Sequence, residues 1–143
     1  MAPMRVDATS IRPNLYIGGA QPPGPALRRA GFDVIVLCAY ELQHPPSYFP
    51  GVEVIRCPLD DDSSKPVGID DWTAIVRTAE RVSRRVRAGN HVLVTCAMGL
   101  NRSGIVTAAT VHFLTGMSGE RAAAFVARRR VVAGSTRFTT KPS

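Results

Sequence analysis

His91-Val-Leu-Val94-Thr95-Cys96-Ala-Met-Gly99-Leu-Asn-Arg102-Ser103-Gly104 decides how this chain of 143 residues is to be read. The apolar run over 91–94 predicts a strand, the next residues a tight loop, and the pattern after them a helix over 102–115. A strand, a loop and a helix N-terminus in that order make a pocket for an anion. Successive backbone N–H groups turn inward, and the helix dipole adds positive potential. Gly99 permits a backbone conformation that a Cβ would oppose, so the loop can curl around its ligand. The planar fork of Arg102 can grip two oxygens of a phosphate-like group. The same field lowers the pKa of Cys96, and only the thiolate is a competent nucleophile. Ser103 can donate a hydrogen bond to the sulfur and ease its departure. These residues imply hydrolysis of a phosphate ester through a phosphocysteine, with Ala97, Met98, Gly99, Leu100, Asn101 and Arg102 around the phosphate.

A bare Cys-x5-Arg says little in a chain with 16 Arg and three Cys. Gly99, the Ser103-Gly104 pair and the strand-before, helix-after context make it specific. The competing reading is a buried structural Cys beside a helix cap and a surface Arg.

The loop resembles that of the cysteine-dependent protein tyrosine phosphatases, in their small dual-specificity branch. The core of that family is His-Cys-x5-Arg-Ser/Thr, and Cys96, Arg102 and Ser103 match it. Ile11-Arg-Pro-Asn-Leu-Tyr16-Ile-Gly18 is similar to the strand that opens the family domain, and Gly31-Phe-Asp-Val-Ile-Val-Leu37 to the next strand. Val54-Ile-Arg-Cys-Pro58-Leu-Asp-Asp61 is similar to the segment carrying the general acid. These motifs cover roughly residues 10–138 in the family's order. The resemblance implies a single catalytic domain over 1–143 that needs neither metal nor cofactor.

It also implies a general acid three residues after a Pro, which points to Asp61; Asp60 is the alternative, and Asp62 completes the acidic run. The family often carries an Arg near position 130 that lies by the pocket and meets a second phosphate. Arg130 fits that place, as do its neighbours Arg128 and Arg129. Asn101 is expected to hold loop backbone by hydrogen bonds. One position departs from the pattern. Thr95 stands where the family usually has a His that braces the loop and keeps the thiol acidic. A Thr hydroxyl can hydrogen-bond the loop but cannot act as an imidazole. An alternative function is therefore a phosphate- or phosphoprotein-binding module with weak turnover.

For the substrate, the resemblance implies a phosphorylated protein, bearing phosphotyrosine and also phosphoserine or phosphothreonine. No Lys lies inside the loop, where lipid phosphatases of the superfamily place one, and no insertion resembles the loop that deepens the pocket of larger tyrosine-specific enzymes. Gly99-Leu-Asn-Arg102 is similar to the RNA 5′-triphosphatase relatives, a second alternative; those usually lack the acid that Asp61 supplies here. Rhodanese-like sulfurtransferases and arsenate reductases share the Cys-loop-Arg idea, but the late position of Cys96 and the acidic segment before it argue against both.

Composition sets the outer limits. Hydrophobic residues at 45% and charged residues at 20% describe an ordinary soluble domain of one core. No apolar run is long enough to cross a bilayer, and no signal peptide is visible at Met1, so no membrane partner and a cytoplasmic setting are expected. Three cysteines without metal-ligand spacing suit a reducing compartment. Cys38 reads as core packing; Cys57, before Pro58, is a candidate to bridge Cys96 under oxidation. The net charge of +7 suits an anionic substrate. A nucleic-acid partner is disfavoured, because aromatics are only 6% and no basic run is interleaved with them. The excess of Arg over Lys, with abundant Ala, Gly and Val, points to a GC-rich bacterial genome. A monomer is expected.

Along the chain, residues 1–10 read as a loose lead-in, and Leu15-Tyr-Ile17 as a short strand. Residues 25–30 read as a short helix closed by Gly31, and Val34-Ile-Val-Leu37 as a strand buried on both faces. His44–Pro50 is a loop and 52–56 another strand. A helix from Asp70 to Arg87 carries Trp72, Ile75, Val76, Ala79, Val82 and Val86 as its core face. A last helix runs from Ser118 to Arg130, and the clusters Arg84–Arg87 and Arg128–Arg130 read as solvated faces. His44, His91 and His112 are taken as structural. Strands alternating with helices give an α/β fold, a central and mainly parallel sheet flanked by helices. Such a sheet binds ligands at the carboxyl ends of its strands, where Cys96 falls.

Overall fold

The chain enters through a hairpin. β1 (Thr9–Arg12) and β2 (Leu15–Gly18) run antiparallel around Pro13-Asn14, and Asn14 adopts φ 69°. Pro followed by a residue that tolerates positive φ is the chemistry of a tight turn. The computed structural model describes residues 6–61 and 66–133. The expected loose lead-in over 1–10 is corrected from residue 6 onward, residues 1–5 lying outside the described residues: Val6, Asp7, Ala8 and Thr9 are all buried, and β1 begins at Thr9. The apolar residues alternate there too sparsely to announce a strand, yet β1 completes the edge of the sheet.

After β2 come the short helix α1 (Ala26–Arg29), β3 (Val34–Ala39), β4 (Glu53–Leu59), α2 (Ile69–Arg87), β5 (Val92–Thr95), α3 (Asn101–Thr115) and α4 (Gly119–Ala133). The sheet order is β1-β2-β5-β3-β4, with every pairing parallel except β1 with β2. β5, between β2 and β3, is central. Its side chains are buried throughout, as a continuous apolar run between two parallel neighbours requires. β4 extends beyond the expected strand, through Cys57 and Pro58 to Leu59, so the acidic run starts where the strand stops.

Alternation along the strands sorts the core into two layers. One face carries Leu15, Ile17, Val34, Val36, Cys38, Ile55, Cys57, Val92 and Val94, and packs against Ile75, Val82, Val106, Val111, Ala122 and Val126 of α2, α3 and α4. The opposite face, with Tyr16, Ile35, Leu37 and Leu93, is covered by Leu27, Phe32 and Phe49 from α1 and the connecting segments. On α2 the buried arc comprises Ile75, Ala79, Val82 and Val86, but Trp72 and Val76 are 48% and 39% exposed and do not belong to it. Both lie at the rim of that arc, turned towards a shallow groove shared with Ile105 and Phe113 of α3. Among the described residues no helix is long and apolar enough to cross a membrane.

Candidate active site

Cys96 continues the line of Val92 and Val94 on the helix-covered face, and its amide donates to the Gly18 carbonyl at 3.3 Å, extending the β2–β5 ladder by one rung. The chain then curls back. Gly99 takes φ 72°, and a Cβ there would come within 2.5 Å of Arg130 Nη2 and of the Gly18 carbonyl carbon, so both conformation and space call for glycine. Ala20 N–H donates to the Ala97 carbonyl at 3.1 Å and fixes the rising limb of the loop. α3 opens at Asn101, and its unsatisfied N-terminal amides face the loop.

The sulfur sits inside this turn. Ser103 Oγ lies 3.1 Å from Cys96 Sγ and is fully buried. Burial alone would push the thiol up, but the Ser103 hydroxyl, then the amides of Ser103, Leu100 and Gly99, donate to the sulfur and bring its pKa below the ordinary thiol value. Thr95 takes no part in this. Its hydroxyl donates to the Val36 carbonyl at 2.8 Å, on the opposite face of the sheet, and binds β5 to β3. Asn101 is exposed and makes no side-chain hydrogen bond among the described residues. Met98 and Leu100 are 72% and 50% exposed, so the loop meets solvent with an apolar rim.

Arg102 is 5% exposed and reaches past the ends of β3 and β4. Its Nη1 donates to Glu41 Oε1 at 2.5 Å and to the Leu59 carbonyl at 3.1 Å, and its Nη2 to Glu41 Oε2 at 2.9 Å. Nε is buried with no hydrogen-bond partner, and Asp61 Oδ1 stands 3.8 Å away. Hydrogen bonding to Arg102 holds the Glu41 carboxyl down at about 2. Asp61 is half-exposed at the end of β4, facing the guanidinium; Asp60, the alternative acid, precedes it and is exposed, and Asp62 lies outside the described residues. Glu41 was not legible as a site residue. Its one sequence signal is its position, in a 3-10 turn (Tyr40–Leu42) directly after a buried strand.

Arg130 does not reach the pocket as a solvated side chain. It is 5% exposed, paired with both carboxylate oxygens of Asp7 at 3.0 Å, and it donates to Thr9 Oγ1 at 2.7 Å and to the Met98 carbonyl at 3.1 Å. Asp7 Oδ2 also accepts the Gly19 amide at 3.1 Å. The pair therefore braces the loop from beneath, which corrects the reading of Arg130 as part of a solvated face. Arg128 and Arg129 are exposed, and Arg129 is spent on the Ser10 carbonyl at 3.1 Å.

The three cysteines are free and form a row across neighbouring strands. β3 lies between β4 and β5, and Cys38 on it adjoins both Cys57 and Cys96. Cys57 and Cys96 are thus two strand spacings apart, about 9.6 Å, beyond the ~7 Å between Cα atoms that a disulfide tolerates. The candidate Cys57–Cys96 bridge does not suit this sheet. Among the described residues no three His, Cys, Asp or Glu side chains converge as metal ligands.

Known proteins share both sequence and fold with this chain. Dual specificity phosphatase 28 of Mus musculus is 35% identical over 126 residues, covering 86% of this chain and 73% of the relative. The Homo sapiens protein of the same name is 31% identical over 135 residues, covering 92% and 73%. The crystal structure of human dual specificity phosphatase 28 superposes with a TM-score of 0.73 at 29% identity, over 92% of this chain and 86% of that one. No family model matches.

Proposed function

Because this chain belongs to the dual-specificity phosphatase family and is a cysteine-dependent protein phosphatase, we propose that Cys96, Arg102, Asp61 and Ser103 carry out its chemistry. The observation that carries the assignment is the acidified sulfur of Cys96, ringed by three amides and a hydroxyl at the foot of the Arg102 side chain. In the first step the thiolate attacks phosphorus, the S–P bond forms and the ester P–O bond breaks. Asp61 gives its proton to the departing oxygen, while Arg102 and the amides of 97–102 hold the equatorial oxygens. In the second step water attacks phosphorus, Asp61 takes its proton, and the S–P bond breaks towards a thiolate that the Ser103 hydroxyl stabilises. Atoms and charge balance without a metal or cofactor.

The substrate is a phosphorylated protein. We read phosphotyrosine as the preferred residue, with phosphoserine and phosphothreonine admitted by a pocket of modest depth. Two observations support a single phosphate on an apolar carrier: the exposed Met98 and Leu100 at the rim, and the withdrawal of Arg130 into its pair with Asp7. A cytoplasmic setting rests on three free thiols, one of them the nucleophile.

The test is hydrolysis of p-nitrophenyl phosphate against pH without added metal. Wild type should turn over and Cys96→Ser should not. Asp61→Asn should lower kcat by about 10²-fold or more, and Asp60→Asn by far less, general acid catalysis being worth ~10²–10⁴. Wild type that binds inorganic phosphate without turning over any ester would instead make this a binding module.

A further inference from the structure

Among the described residues, the large apolar side chains that meet solvent fall in three places. Tyr40 lies in the turn after β3, Met98 and Leu100 in the loop after β5, and a third group runs from Val67, before α2, to Val76 on its second turn. β3, β4 and β5 are parallel, so each group follows the carboxyl end of a strand, the end of the sheet that carries Cys96. Apolar surface gathered in one region of a folded domain marks a place where a partner docks.

Past Leu100 this surface continues as a trough along the outer side of α3. Gly104, Ala108 and Ala109 keep its floor low, and a Cβ on Gly104 would meet nothing within 4 Å. Trp72 and Val76 of α2 form one wall and Ala123 of α4 the other. The trough consists of two hollows of about 300 and 360 Å³, which share Ile105 and Ala123 and so adjoin. Arg130 borders the upper hollow, but its guanidinium is paired with Asp7; the remaining lining is apolar apart from Asn101 and, at the lower end, His112.

We propose that the trough is a subsite for the substrate chain beside the phosphorylated residue, and that it selects large apolar side chains two and four positions away. The inference rests on the phosphatase reading of the site. Continuity names the occupant: a phosphoprotein with its phosphate at Cys96 must lead its flanking chain across the rim, and Leu100 and Asn101 belong to both the loop and the upper hollow. Spacing names the positions. At 1.5 Å per residue, Ile105 and Ala109 stand about 6 and 12 Å along α3 from Asn101. An extended chain advances ~3.3 Å per residue and draws level with them after about two and four residues. Side chains at those two positions point to the same side of an extended segment, so both can turn to the floor. A polar side chain there would lose water without finding a partner, whereas a Leu, Ile or Met would leave water for apolar surface.

The test measures kcat/KM on p-nitrophenyl phosphate and on phosphotyrosine peptides carrying Leu or Ser at the two positions, on the amino or the carboxyl side. Binding of the same peptides to Cys96→Ser is titrated in parallel. On one side, the Leu peptide should exceed its Ser counterpart by about 10-fold in kcat/KM, the scale of partly burying two Leu side chains, and by a similar factor in affinity. Trp72→Ala and Ala123→Arg should each erase most of that difference and leave p-nitrophenyl phosphate, which is too small to reach the trough, unaffected. Equal rates for Leu and Ser peptides would overturn the proposal. So would a preference that both variants leave intact, which would seat the apolar residues at Tyr40 or Met98 instead. A preference that emerges only with Phe138→Ser would give the trough to the end of this chain, and a dimer that Ala123→Arg dissociates, with no peptide preference, would give it to a second copy. Either result overturns the proposal. If wild type turns over no ester while Cys96→Ser still separates Leu from Ser peptides, and Ala123→Arg still abolishes that separation, the hydrolase reading fails and the trough keeps its ligand.

Discussion

Cys38 and Cys96 occupy neighbouring strands of one sheet, both nearly inaccessible to solvent, and their thiols shift in opposite directions. Burial, and after it the neighbouring Cys57 and Cys96, push Cys38 well above the ordinary thiol value against a smaller opposing pull from Arg102. Cys96 feels the same burial, but four donors on its sulfur reverse the outcome. Acidity at this site is thus a property of the loop's amides and of Ser103, not of the residue before the cysteine. That is why Thr95, in place of a histidine, need not silence the thiol. The pH consequence follows in sign. A thiol pKa lowered by folding favours the thiolate in the native state, so its contribution to stability is present above the unfolded thiol pKa and is lost as pH falls through the folded one. Iodoacetamide should therefore alkylate Cys96 in the native protein with a midpoint below that of an ordinary thiol, while Cys38 stays unreactive. Ser103→Ala should raise the midpoint. Thr95→Val should leave it in place and lower stability by about 1 kcal/mol, the net worth of one buried hydrogen bond, as read by urea unfolding. A midpoint that moves with Thr95→Val would give the threonine a share in activating the thiol.

At the scale of elements, the loop is held from two sides: Glu41 and Leu59, at the ends of β3 and β4, orient Arg102, and β1 with α4 supports the backbone beneath. The second brace is the buried pair of Asp7, just before β1, with Arg130 on α4. Removing one member leaves the other charge in a dry setting, which typically costs 3–5 kcal/mol. Arg130→Ala should cost on the order of 3 kcal/mol in chemical unfolding on that account, and adding Asp7→Ala should return part of the loss. Because Arg130 supports the Met98 carbonyl and is spent on its pair with Asp7, its loss should lower kcat/KM equally for singly and doubly phosphorylated peptides. A selective loss on the doubly phosphorylated one would restore it as a second phosphate contact. The sequence could not separate these roles. Arg128, Arg129 and Arg130 are chemically identical neighbours on one helix, and only the packing of α4 on β1 decides which turns inward. Trp72 and Val76 failed for a related reason: helical spacing marks an apolar arc, but the width of the arc that is covered depends on the neighbouring helices.

For the whole molecule, what was legible is what local chemistry dictates. The β5-loop-α3 unit could be read because capturing an anion beside a nucleophile calls for glycine, a guanidinium and a helix start within nine residues of a thiol. The parallel sheet could be read because buried runs such as Val34–Leu37 alternate with helical patterns. What depends on non-local pairing stayed hidden: the entry of β1, the bite of Glu41 on Arg102 across 61 residues, and the strand that separates Cys57 from Cys96. Charge belongs to this scale as well. A net +7 on a chain of this size sets up a positive field around a pocket that captures a dianion. The contribution is long-ranged, so it is screened once the Debye length falls to ~8 Å near physiological salt and ~3 Å at 1 M. Charge inside the pocket, where Arg102 is buried, is screened far less. Raising the salt should therefore lower kcat/KM for an acidic phosphopeptide several-fold, mainly through slower capture, while kcat stays nearly constant. p-Nitrophenyl phosphate, which carries only the phosphate charge, should respond less. Equal salt sensitivity of kcat and kcat/KM would show that the dependence arises in the pocket rather than in the field that surrounds it.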